Sequence, residues 1–183
     1  IHNIPRISPK KREDFINKGW NKVIDIPEPA LASELTDIQR GAVKNIKNGR
    51  VLKNPMKLAM FLNRLTYPIY YFDFEAFSPI IPLFDNSKPF DMIPFQYSLH
   101  IEDRVGREVQ LTHKGYLHTE NSDPRRAIAE HLLADLGDKG SIVVYNKTFE
   151  AGVIEYLATL FPDLADSLRR LQGRLVDLMV PFK

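Results

Sequence analysis

The chain has 183 residues, 44% hydrophobic and 26% charged, enough for one sizeable domain or for a small domain with an appended arm. It has no cysteine, which excludes a disulfide framework, a thiolate metal site and a cysteine nucleophile, so any metal has to be held by oxygen or histidine. The net charge of +2 hides an asymmetry: residues 1–67 hold 13 Lys/Arg against 6 Asp/Glu, and residues 68–183 hold 12 against 17.

The start, Ile1–Pro5, shows no basic segment followed by an apolar one, so it does not read as a signal peptide, and it lacks an initiator Met, as an excised or processed piece would. No run approaches the about 18 apolar residues that span a bilayer, and a cytoplasmic protein without membrane contact is expected. Residues 1–35 carry four prolines and the basic run Lys10-Lys11-Arg12, and read as mostly irregular with a short extended piece at Val23–Ile26. Thr36-Asp37-Ile38-Gln39 is a capping box, followed by a helical face of Ile38, Ala42, Val43 and Ile46 that stops at Gly49. Asn54-Pro55 opens a second helix with the stripe Leu58, Phe61, Leu62 and Leu65. Residues 1–66 are thus expected to form a basic helical or irregular arm, or the tail of a preceding domain. An exposed Lys-rich arm is equally what solubility alone would produce.

The pattern changes at Ile69. Ile69–Glu75 is β-branched and aromatic and predicts a strand buried on both faces. After a proline-marked loop, Phe95, Tyr97, Leu99 and Ile101 alternate with polar residues, and Val109 to Tyr116 alternates again, which predicts an antiparallel meander. Asp123-Pro124 opens a helix with the face Ile128, Leu132, Leu133 and Leu136, closed by Gly137. Ile142–Tyr145 is a short apolar strand, followed by helices over 149–160 and 163–171 and a fifth strand from Leu175. These elements predict an α/β domain over 67–183, a mixed five-stranded sheet with three antiparallel strands and then parallel ones, flanked by helices. Right-handed crossover lets the fourth strand lie parallel to the first and beside it.

Asp73 and Glu75 are two apart on the first strand, so both carboxylates project from one face. Two acids on so apolar a strand call for a divalent counter-charge, unless they lie hydrated at the strand end. Asn146 ends the fourth strand, and Glu150 falls in the first turn of the following helix, where the helix dipole alone would favour an acid. The same topology delivers Glu150 to Asp73 and Glu75. Phe77, Phe84 and Phe90 in the long loop suit base stacking or a covered core edge. His113 and His118 lack a firm metal-ligand spacing, His100 lies on the polar face of its strand, and His131 reads as surface.

Phe72-Asp73-Phe74-Glu75 resembles the first motif of the DEDD exonucleases, and Asn146-Lys147-Thr148-Phe149-Glu150 resembles their second, with Glu in place of the usual Asp. More closely, Tyr71 to Phe77, Ile93 to His100, Val143 to Glu150 and Arg174 to Leu178 resemble a bacterial family of unknown function, DUF2779, whose members are often joined to a RecB- or Cas4-like nuclease region. Residues 15–50 look like the tail of such a region. The resemblance implies a ribonuclease H-like fold and a metal-dependent nuclease of the 3′–5′ exonuclease type, acting on single-stranded DNA or RNA. It implies two Mg²⁺ or Mn²⁺ ions, with Asp73 bridging them, Glu75 and Glu150 on their outer sides, Asp177 as a further ligand, and Asn146 and Phe149 in support. The third motif of the exonucleases, a Tyr or His with a final Asp, is absent up to Lys183, so the C-terminal part of the fold and the general base are expected to be missing. The competing expectation is a non-catalytic ribonuclease H-like module that binds nucleic acid or protein.

Overall fold

The computed structural model describes residues 1–49, 54–106 and 108–182. The chain forms two compact units, Ile1–Pro55 and Met56–Lys183.

The first unit is helical from near its start. Ser8 caps α1 (Pro9–Asn17), its Oγ accepting from the Lys11 amide at 3.2 Å, and Pro9 occupies the first turn, where its missing N–H costs nothing. Prolines that read as breakers here open helices: Pro27 caps α2 (Glu28–Glu34) and Pro29 lies in its first turn. The stretch expected to be irregular is therefore largely helical. Val23–Asp25 is a 3₁₀ turn rather than an extended piece, closed by the Lys22 amide donating to Asp25 Oδ2 at 2.7 Å. The capping box of α3 (Asp37–Lys47) forms as its residues require, with Thr36 and Gln39 exchanging backbone-to-side-chain bonds. Its inward face differs from the expected one. Gln39 and Val43 are buried, whereas Ile38 and Ile46 are exposed, because Gln39 reaches in to donate to the Pro5 carbonyl at 3.1 Å. Phe15, Ile26, Leu31 and Val43 form the core of this unit.

The second unit opens with α4 (Pro55–Leu62), whose Phe61 is buried. It continues into β1 (Ile69–Phe77), β2 (Ile93–Val105), β3 (Glu108–Leu117), α5 (Arg125–Leu136), β4 (Ser141–Val144), α6 (Lys147–Leu160), α7 (Ala165–Arg174) and β5 (Leu175–Asp177). The sheet order is β3-β2-β1-β4-β5, antiparallel through β3, β2 and β1 and parallel through β1, β4 and β5. β4 does lie beside β1 and parallel to it, as the crossover argument expects.

Tyr70, Phe72 and Phe74 of β1 join Tyr97, Leu99, Ile142 and Val144 in one core with Ile128, Leu132, Ile154, Leu157 and Leu168. The helices α5, α6 and α7 pack on one another and on that single face. Tyr71, Asp73 and Glu75 on the other face of β1 are exposed, so the strand is buried on one side and not on two. The aromatic side chain on that open face, Tyr71, is amphipathic and donates its hydroxyl to Glu102 at 2.7 Å.

Two arginines fix the loops. Arg125 is 1% exposed and donates to Asp123, to the Tyr156 hydroxyl at 2.7 Å and to the Asp85 carbonyl at 2.6 Å, tying the β1–β2 loop to the helices. Arg174 donates to the carbonyls of Leu136, Gly137, Lys139 and Gly140, satisfying the open end of α5 and the turn into β4 together.

Candidate functional site

The parallel pairing of β1 with β4 runs from Ile69–Ser141 to Tyr71–Val143 and then stops. Asp73 lies two residues further along β1, beside the space that β4 leaves as it turns into α6. Asn146 makes that turn in the left-handed region, φ 68° and ψ 70°, a conformation asparagine tolerates better than most residues. Its amide donates to Asp177 Oδ1 at 3.2 Å, which also accepts from Met179 at 2.9 Å, so Asp177 fixes the chain where β5 ends. The helix then begins at Lys147 and places Glu150 in its first turn, while Phe149 packs against the core.

Glu150 is 1% exposed, and its Oε2 finds no hydrogen-bond partner. Burial pushes its pKa from 4.5 up to about 7; its own backbone amide opposes this, and the negative charges of Asp73 and Asp177 add to it. Glu75 shares the exposed face of β1 with Asp73 but is not among the charges that act on Glu150. It stands opposite Gln96, immediately before a β-bulge at Glu75/Ala76. The structure thus brings Asp73 and Asp177, but not Glu75, into the field of Glu150. Among the described residues, no three His, Asp or Glu side chains are gathered closely enough to hold a metal ion.

A cleft of about 470 Å³ opens beside Asp73, lined also by Tyr71, Ser98, His100, Tyr145 and Leu178. Tyr145 is 68% exposed, and sequence reasoning passed over it; its place between an apolar strand and Asn146 was the available signal. Of the loop aromatics, Phe84 carries the Arg125 guanidinium over its ring and Phe77 packs on Phe95, whereas Phe90 is exposed.

The family model described as Domain of unknown function (DUF2779) matches residues 70–183. The chain belongs to the DUF2779 family. The DUF2779 match begins inside β1 and takes in both carboxylates of that strand together with Glu150 and Asp177. The chain is also 30% identical over 143 residues to the uncharacterized MG366 homolog of Mycoplasma pneumoniae, an alignment covering 73% of this chain and 20% of that protein. No solved structure matches it. No helix among the described residues is long and apolar enough to cross a membrane.

Proposed function

We propose that the DUF2779 domain of this chain is a divalent-metal-dependent nuclease with a ribonuclease H-like fold, acting on single-stranded DNA or RNA. The observation that carries this reading is Glu150: a buried carboxylate with an unpartnered oxygen, in the field of Asp73 and Asp177, at the end of the strand neighbouring β1. A buried acid without a donor is costly, and a cation at that oxygen would relieve the cost. The strand order 3-2-1-4-5 and the resemblance of the two acidic motifs to those of the DEDD exonucleases support the same reading.

The donor chemistry fits a hard divalent ion. Asp73, Glu75, Glu150 and Asp177 offer only carboxylate oxygens, the ligands that Mg²⁺ and Mn²⁺ prefer. When bound, such ions supply the charge that stabilises the attacking and leaving oxygens of phosphodiester hydrolysis. The chain's own groups do the rest. Asp73 lies at the wall of the cleft, Glu150 gives up its proton on ligation, and the exposed Tyr145 ring offers a face on which a base can stack.

Calorimetric titration with Mn²⁺ tests the proposal. Saturable binding is expected for the chain and should be lost in Asp73→Ala. Binding should weaken as pH falls below about 7, because Glu150 must release its proton first. Titrations in buffers of different ionisation enthalpy read that proton directly. A chain that takes up no Mn²⁺ at pH 8 would refute the metal reading.

That no three His, Asp or Glu side chains gather closely among the described residues favours a second reading, a non-catalytic module that keeps the acids without turnover. Oligonucleotide binding indifferent to Mn²⁺ and to Asp73→Ala would support it.

A further inference from the structure

The antiparallel register of β2 and β3 sets His100 directly opposite His113, and their ring centroids lie 4.5 Å apart. Both side chains are exposed, on the open face of the sheet away from the helical core. Sequence spacing suggests His113 and His118 as the nearer pair, yet the structure commits His118 elsewhere, to Tyr116 at 3.0 Å and to Ser122 at 3.0 Å. We propose that His100 and His113 form a separate binding site for a late first-row divalent cation that takes ligands at right angles, such as Ni²⁺ or Cu²⁺.

Three observations carry this. The first is the separation itself. An imidazole-bound ion stands about 2.0–2.1 Å from nitrogen and so about 3.2 Å from the ring centroid, and two rings about 90° apart around an octahedral or square-planar ion then lie about 4.5 Å apart, centroid to centroid. The observed 4.5 Å is that distance. The second is orientation. Ser98 Oγ lies 3.3 Å from His113 Nε2, a contact that holds this ring and leaves Nδ1 for an ion. The third is the surrounding charge. The register puts Asp73, Glu75 and Glu102 on the open face, and the cation it adds there among the described residues, Arg104, stacks on the Tyr67 ring. The field on this face favours a cation over an anion.

Imidazole binds late transition ions and takes up Mg²⁺ or Mn²⁺ poorly, whereas carboxylates bind both kinds of ion. The two sites are therefore told apart by which substitutions weaken Ni²⁺ binding and which weaken Mn²⁺ binding. With two protein ligands and water in the remaining positions, the bound ion clamps β2 to β3 at the rim of the cleft that His100 also lines. The inference does not depend on the nuclease reading.

The test is calorimetric titration of the untagged chain with Ni²⁺, in parallel with His100→Ala, His113→Ala, His118→Ala and Asp73→Ala, each checked for folding by circular dichroism. One equivalent should bind through the histidine pair, with affinity reduced at least about tenfold in His100→Ala and His113→Ala, unchanged in His118→Ala, and reduced less in Asp73→Ala, which removes one of the surrounding charges. Ni²⁺ affinity unchanged in His113→Ala, or lost in His118→Ala instead, would overturn the proposal. Failure of the carboxylate site appears separately, as absent Mn²⁺ binding with Ni²⁺ binding retained.

Discussion

Glu150 sits where two physical effects oppose each other. The first turn of a helix favours negative charge, yet burial and two neighbouring carboxylates disfavour it, and the second influence wins. The folded chain therefore binds this proton more tightly than the unfolded chain does between pH 4.5 and about 7. The stability associated with the protonated acid is complete below 4.5 and is lost as pH rises through about 7. Glu150→Gln, which keeps the shape and removes the charge, should match the parent at pH 4 and exceed it by about 3 kcal/mol at pH 8, without added metal. Urea unfolding at the two pH values measures this; a difference that does not change with pH would contradict the assignment. Saturating Mn²⁺ should shrink the gap, since a ligand bound only by the native state stabilises the parent and not the variant.

At the scale of elements, the entry to β4 is set by backbone proximity. Gly140 has φ 86°, and a Cβ there would lie 1.9 Å from the Pro68 carbonyl oxygen, just before β1 begins. Gly140→Ala should cost at least about 3 kcal/mol, read from the shift of the denaturation midpoint, because the atom it meets is backbone and cannot rotate away. An unchanged midpoint would mean that β1 and β4 separate there readily. The strands were legible in the sequence because alternation along Phe95–Ile101 and the apolar run Ile142–Val144 leave little choice of partner face. The parallel placement of β4 followed from crossover handedness alone. The helices α1 and α2 were not legible, since their prolines lie in first turns, where the residue that breaks a helix elsewhere begins one. The site was legible as a set of acids along the chain but not as a geometry. Register sends Asp73 and Glu75 to the same face, whereas only the turn at Asn146 decides which of them Glu150 meets. The histidine pair was hidden for a related reason: thirteen positions separate its members, and only a hairpin's register makes them neighbours.

On the scale of the whole molecule, each compact unit carries its own core, one around Phe15, Ile26 and Val43 and the other around Phe72, Leu99, Leu132 and Ile154. Separate cores imply separate cooperativity. A chain beginning at Met56 should unfold in a single cooperative transition and keep both the Mn²⁺ and the Ni²⁺ stoichiometry of the parent. Loss of cooperative unfolding in that shorter chain would show that the second core depends on the first unit.

The outermost strand, β3, is exposed along nearly all of its length and pairs on one side only, with β2. Half of its amides point outward, so a row of unused donors and acceptors runs along the edge of the sheet, ready to accept an eleventh-hour neighbour from another molecule. What guards that edge is chemistry rather than cover. Lys114, held by Asp135 at 2.8 Å, keeps a charge in the strand, and Gly115, whose added Cβ would lie 3.2 Å from the Tyr97 carbonyl oxygen, weakens its extended preference. The edge that carries His113 is thus also where self-association has to be prevented, and a cation clamped between β2 and β3 would add a like charge on every copy, making the strand less sticky as well as more firmly held.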